Sequence, residues 1–183
     1  FSWVSGGILL WLVYLAGLNG FMLVWDQLAQ FVVIASSEWL DVLPVFNGAL
    51  IRNFISAESV NDRLFTLLAF MHIGIPLTVG LLLWIHVQRI PQARINPPRQ
   101  IVIGISLMFL ALALIRPVLS QGGEADLAIV PGPLAFDWFQ LPLLPLIYVI
   151  DPRVLWAIVL GASALLFLAP WLPPRRRGAR QAE

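Results

Sequence analysis

Four runs of this chain are apolar over lengths that a water-soluble fold of this size has no interior to hide. A helix needs about 20 apolar residues to cross the hydrocarbon core of a bilayer. Trp3 to Val24 supplies one such run, with Phe31 to Ala35 as its extension. Leu64 to Ile85 supplies a second, with no Asp, Glu, Lys or Arg inside it. Ile101 to Leu119 is a shorter third, whose Arg116 stands near the end and can snorkel to the interface. Val154 to Trp171 is the fourth. The expected architecture is therefore all-α, a polytopic transmembrane helical bundle forming one domain over residues 1–183. Its spans are expected at about 3–35, 64–89, 101–119 and 153–171. Segments 36–63, 90–100 and 120–152 then read as loops and 172–183 as a tail. Leu141 to Ile150 is also apolar, but Pro142 and Pro145 interrupt it, so it reads as a short interfacial or re-entrant piece.

Composition closes off other classes. Charged residues make up 11% of the chain and hydrophobic ones 60%, where a soluble domain carries about 25% charged residues. Eight Trp and 11 Phe exclude a disordered chain. With no cysteine, disulfides, iron–sulfur clusters held by this chain and thioether-attached haem are excluded. Phe1 is followed by neither a basic region nor a small-residue cleavage site, so the start reads as a processed chain or as part of a longer protein.

The charges give an orientation. Arg89, Arg94 and Arg99 fill the loop after the second span without an acid, and Arg175, Arg176, Arg177 and Arg180 fill the tail. The other two loops lean acidic: Glu38, Asp41, Glu58 and Asp62 against Arg52 and Arg63 in the first, Glu124, Asp126, Asp137 and Asp151 in the second. The positive-inside rule puts the arginine loop and the C-terminus in the cytoplasm and the acidic loops outside. The expected home is a bacterial inner (cytoplasmic) membrane. These few arginines act as topology signals, and nothing points to nucleic acid.

His72 and His86 are the only histidines, and both lie in the second span. Fourteen residues apart, they fall about 40° short of four full turns, so they share a helix face about 21 Å apart along the axis. Ionisable residues inside a span are functional candidates. One reading is a pair of helix–helix hydrogen bonds. The other is two haems, one per histidine, each taking its second axial ligand from a helix outside this chain. Gly6 and Gly20, in the first span, are also 14 residues apart. Because consecutive spans run in opposite directions, Gly6 falls at the depth of His86 and Gly20 at that of His72. Small-residue packing accounts for such glycines; so does a flat macrocycle lying against bare backbone.

These residues carry a family resemblance. Gly20-Phe21-Met22-Leu23-Val24-Trp25-Asp26-Gln27 resembles the Gly-Tyr-x-Leu-Pro-Trp-(Gly/Asp)-Gln ending of the third helix of cytochrome b in the quinol:cytochrome c oxidoreductase family. Ser59-Val60 followed by His72, Pro76 and His86 resembles the fourth helix, and Asp137-Trp138-Phe139 stands where the family has Pro-Glu-Trp-Tyr. The similarity covers nearly the whole chain, from the third helix to the sixth. It implies two b haems, with His72 as axial iron ligand of the outer, low-potential one and His86 of the inner, high-potential one. The partner histidines would come from the family's second helix. It further implies that Gly6 and Gly20 pack on the haems, and that Asp137 takes a proton from quinol at the outer site. Arg89, one turn past His86, is a propionate partner or a headgroup arginine. Asp137 is a proton acceptor or a turn cap. Trp25 and Trp138 are interfacial belt residues or quinone-pocket walls.

The chain also departs from that pattern. Phe136 replaces the motif proline, Asp137 is one methylene shorter than Glu, Phe139 lacks the tyrosine hydroxyl, and Val24 replaces the proline before Trp25. Leu67 stands where the family has an arginine, Pro91 where the inner quinone site has a histidine, and the next helix opens with an apolar residue near Ile101 instead of an acid. The leading expectation is a membrane di-haem b cytochrome subunit carrying electrons between quinol or quinone and partner redox subunits. The lost inner-site residues favour a second: a haem-b anchor of an iron–sulfur or molybdenum oxidoreductase. A third is a haem-less structural membrane subunit.

Overall fold

The computed structural model describes residues 2–56, 58–91, 96–117, 119–137 and 140–172. Seven α-helices follow in chain order: α1 (Ser2–Val24), α2 (Gln27–Asp41), α3 (Ala49–Phe54), α4 (Asp62–Gln88), α5 (Arg99–Ile115), α6 (Leu143–Leu146) and α7 (Pro152–Leu168). Among the described residues there is no strand, only an isolated bridge between Asp26 and Glu124. Three helical stretches have the length and apolar composition to cross a membrane, namely Ser2–Val24, Asp62–Gln88 and Pro152–Trp171. α5 is the fourth apolar helix, and its 17 residues lie at the short end of what a bilayer requires. It stops at Ile115, four residues earlier than expected, because Pro117 disfavours helical backbone at Arg116. Arg94 of the expected arginine loop, the tail arginines Arg175, Arg176, Arg177 and Arg180, and Trp138 and Phe139 lie outside the described residues.

The first expected span, 3–35, is two helices. α1 ends at Val24, Trp25 takes a left-handed φ of 52°, and Asp26 starts α2. The Asp26 Oδ1 atom accepts from the Ala29 N–H at 2.9 Å, which is what an N-cap carboxylate does for the exposed donors of a first turn. α2 then buries an apolar face (Leu28, Val32, Ala35, Trp39) that forms the core with Leu141 and Leu144, around and in α6, and Leu155 and Val159 of α7. Residues 36–63, expected as loop, hold the end of α2 and the short α3. The apolar segment around Pro142 and Pro145 is a single helical turn with both Leu141 and Leu144 fully buried. Trp39 stacks on Trp156 with centroids 4.5 Å apart, and the Trp156 Nε1–H donates to the Trp39 carbonyl at 2.8 Å.

α1 lies antiparallel to both α4 and α7. The residues facing its start are His86 near the end of α4 and Phe167 near the end of α7. The Trp3 indole N–H donates to the Leu166 carbonyl at 2.6 Å. The ends of α4 and α7 therefore share one side of the bundle, and Asp26, Asp41, Asn61 and Asp151 share the other. All four are acceptors at helix starts. Asp41 takes the Leu50 and Ile51 N–H groups of α3, each at 2.9 Å. Asn61 takes that of Arg63 at 3.0 Å and Asp151 that of Arg153 at 2.8 Å.

Tyr148 closes this second end by donating its hydroxyl to Glu38 Oε2 at 2.6 Å. Partial burial, then that hydrogen bond and the negative charge of Glu38, push the Tyr148 phenol above its ordinary value of 10. The folded state thus holds the phenol proton more tightly than the unfolded chain does. The contact stabilises fully below about pH 10 and is lost as pH rises above it. Tyr148→Phe is expected to flatten that alkaline loss, read from thermal unfolding in detergent between pH 8 and 11. Removing the α2 cap is expected to cost more: Asp26→Ala should lower stability by about 1–3 kcal/mol, and Asp26→Asn by less, in the same unfolding experiment.

Candidate cofactor sites along the α1 and α4 pair

α4 runs 27 residues without interruption, although Pro76 lies inside it. Proline has no N–H to give the carbonyl four residues back, which is that of His72, so the helix is loosened one turn after this side chain. His72 and His86 are both half-buried and both face α1. A Cβ built on Gly20 would come within 2.9 Å of His72 Cε1 and 3.6 Å of its Nδ1. One built on Gly6 would come within 3.4 Å of His86 Cε1 and 4.0 Å of its Nε2. The expected depth match is therefore a direct contact in each case: the missing side chain is the space that the imidazole occupies.

The two rings differ in their partners. His86 Nδ1 lies 2.8 Å from the Ser5 hydroxyl oxygen. His72 Nδ1 is buried and has no hydrogen-bond partner among the described residues. Each level also has a cavity on α1. One of about 420 Å³ is bounded by Ser2, Trp3, Gly6, Gly7, His86 and Leu166. Another of about 510 Å³ lies beside Gly17, Gly20 and Phe21 and reaches the Asp26 junction and Ser120–Gln121. Both volumes fall in the range of cofactor-sized clefts, about 300–1,000 Å³. An imidazole beside glycine backbone at each of two depths, with a cleft lined by His86 at the Gly6 level, suits a flat, iron-bearing macrocycle; His72 is not among the residues lining the cleft beside Gly20. No cluster of three or more His, Cys, Asp or Glu side chains that could hold a bare metal ion occurs among the described residues.

The other expected site residues lie apart from this pair. Arg89 is exposed and caps the end of α4, its backbone N–H reaching the His86 and Val87 carbonyls. Asp137 is half-buried and accepts from the Gln140 N–H at 3.2 Å, heading the turn that leads into α6. It is not among the residues lining the cavity near Gly20. The residue before it, Phe136, packs on Phe31 of α2 with centroids 4.9 Å apart. Trp25 packs edge-on against Phe65 at the start of α4, 5.2 Å between centroids. Sequence reasoning passed over Ser5 and Asp26. The same depth match that linked Gly6 to His86 applies to Ser5, its neighbour on α1. Asp26 directly before an apolar, helix-periodic run is a start signal for a new helix.

The Asp26 junction ties the end of α1 to the loop of residues 121–129. Asp26 Oδ2 accepts from the Gln121 N–H at 2.7 Å. The Gln27 N–H donates to the Gly123 carbonyl at 3.2 Å and the Ala125 N–H to the Trp25 carbonyl at 3.0 Å. Gln30, itself buried, donates to the Asp126 and Ile129 carbonyls at 2.7 and 2.8 Å and accepts from the Asp126 N–H at 2.9 Å. Residues 121–129 are thus held against the start of α2 by hydrogen bonds to one turn of helix, with Gln121 at the edge of the cleft beside Gly20.

Residues 1–102 match the family described as Cytochrome b(N-terminal)/b6/petB. The chain belongs to the cytochrome b family, and with it to the haem-b membrane proteins that transfer electrons within complexes of redox subunits. No curated protein and no solved structure matches the chain. The tighter contact at Gly20 sets an order of sensitivity. Gly20→Ala is expected to lower the haem b content of the purified protein more than Gly6→Ala does, counted by pyridine haemochrome.

Proposed function

We propose that this chain is the section of a di-haem cytochrome b in which α4 supplies one axial ligand to each of two b haems, His72 at the outer level and His86 at the inner. The observation that carries this reading is the pair of imidazole–glycine contacts, His72 on Gly20 and His86 on Gly6, both on one face of α4 and about 21 Å apart along it. When bound, haem b supplies a one-electron ferric/ferrous couple whose potential follows its axial ligands, burial and nearby charge. The chain's own part is to set those terms. Gly6 and Gly20 leave backbone bare beside the two imidazoles, His86 and His72 would each hold a haem iron, and the apolar bundle would keep water from it. The second ligand at each level would come from a helix other than those described. Electrons pass between the two membrane faces, which costs or yields about 2.3 kcal/mol per charge per 100 mV.

In this reading the electrons exchange with quinol or quinone and with partner redox subunits. The cleft between Gly20, the Asp26 junction and Ser120–Gln121 is the outer candidate for the quinone ring. Asp137 is the candidate proton acceptor of that side, joined to the core through Phe136 and Phe31. Arg89, at the end of α4, is the candidate propionate partner of the inner level. The membrane is a bacterial cytoplasmic membrane, with the C-terminus on the arginine side. Pro91 and Ile101, in place of a histidine and an acid at the inner quinone site, support the second reading, a haem-b anchor for an iron–sulfur or molybdenum enzyme. Co-purified subunits separate the two: a Rieske protein and a cytochrome c for the first, another redox subunit for the second.

The test is a dithionite-minus-ferricyanide difference spectrum of the purified complex with a haemochrome count. Two b haems per copy are expected, one lost or perturbed in His72→Ala and the other in His86→Ala. If neither substitution changes the spectrum, these histidines are not ligands and the reading is wrong. Asp137→Asn is expected to slow quinol oxidation at least tenfold while leaving both haems in place, measured as the rate of haem reduction by a quinol analogue.

A further inference from the structure

We propose that Ser5 is a positioning residue for His86, fixing which ring nitrogen faces the cleft and strengthening it as a donor. The proposal deepens the reading of His86 as an axial ligand and rests on it.

The Ser5 hydroxyl oxygen stands 2.8 Å from His86 Nδ1 and 3.1 Å from the Ser2 carbonyl oxygen. A hydroxyl has one proton to donate, and a carbonyl oxygen can only accept. That proton is assigned to the Ser2 carbonyl, so that the Ser5 oxygen meets Nδ1 as an acceptor and Nδ1 carries the ring hydrogen. A neutral imidazole protonated at Nδ1 has its lone pair at Nε2. The side of the ring that carries Nε2 borders Gly6 and the cleft of about 420 Å³. Ser5 and Gly6 are neighbours on α1 and act on the same ring, Gly6 by leaving room and Ser5 by setting the tautomer. An acceptor on the distal nitrogen also raises the basicity of the ligating one, which favours the ferric over the ferrous state of a bound iron.

The outer level lacks this device. Asn19 precedes Gly20 as Ser5 precedes Gly6, and it is buried. Yet neither its Oδ1 nor His72 Nδ1 has a hydrogen-bond partner among the described residues. The two levels therefore differ in ligand support within one helix pair, and the His72 level serves as an internal reference.

The experiment is a redox titration of the purified complex, followed in the haem α band and by electron paramagnetic resonance of the ferric haems, for wild type, Ser5→Ala, Ser5→Thr and His86→Ala. In Ser5→Ala the haem lost in His86→Ala is expected to become easier to reduce. At fixed ambient potential its reduced-to-oxidised ratio should rise about fivefold, the size of one net hydrogen bond. Its ferric resonance should shift, and the other haem should not change. Ser5→Thr, which keeps the hydroxyl, should stay within about twofold of wild type on the same scale. If Ser5→Ala loses that haem altogether, its retention in Ser5→Thr supports the proposal and its loss there overturns it. Ratios that do not move, that move together at both haems, or that change alike in Ser5→Ala and Ser5→Thr overturn it as well. Should His86→Ala keep both haems, the ligand reading itself fails and the proposal with it. Should His86→Ala lose one haem while Ser5→Ala changes nothing, only the Ser5 proposal fails.

Discussion

The close approach of α1 to α4 at Gly6 and Gly20 is the contact on which the rest of the bundle depends. In a bilayer, apolar side chains gain little by leaving lipid for one another, so helix association relies on close packing and interhelical polar contacts. Here both come together. Each glycine lets an imidazole sit against backbone, and at the Gly6 level the neighbouring Ser5 adds a hydrogen bond. Antiparallel helices with equal spacing on both partners place the two contacts in register. On the reading proposed above, the same spacing would set the distance between the two haems.

The end of the bundle where α2, α4 and α7 start is held differently. Its core is a compact apolar cluster of α2, α6 and α7, with Leu141, Leu144 and Val32 fully enclosed, and its loops are tied by polar side chains. Asp26 is the pivot. One carboxylate oxygen caps α2 and the other receives the backbone of the loop of residues 121–129. Trp25 bears the cost of the sharp turn, since a left-handed φ in a non-glycine residue is strained by about 1–3 kcal/mol. The many hydrogen bonds of Asp26, Gln27 and Gln30 to residues 121–132 offset it. One short turn thereby connects a span, an amphipathic helix and the loop whose Gln121 edges the cleft beside Gly20.

The acidic bias of that side has a local origin as well as a topological one. Asp26, Asp41 and Asp151 all accept from N–H groups at helix starts, and an anion there is also favoured by the helix dipole. Two of the long apolar helices, α4 and α7, begin at this end, so it collects their acceptors. Among the described residues Arg89 stands where α4 finishes, while Arg63 and Arg153 stand in the first turns of α4 and α7 beside these caps.

Much of the bundle was legible in the residues themselves. Hydropathy marks the apolar helices because a bilayer imposes a length. Two histidines and two glycines, each 14 residues apart, fall on matching depths because an α-helix has a fixed rise and turn. Local chemistry hid the break at Trp25-Asp26: the apolar run resumes at Leu28, and hydropathy averages over a capped turn that a single carboxylate creates. The partner of His86, the unpaired nitrogen of His72, the distance of Asp137 from the cleft beside Gly20 and the burial of α2 on α6 and α7 were decided only by the tertiary structure. Each depends on which faces meet across more than a hundred residues or between two spans, and periodicity along one helix carries no record of its neighbour.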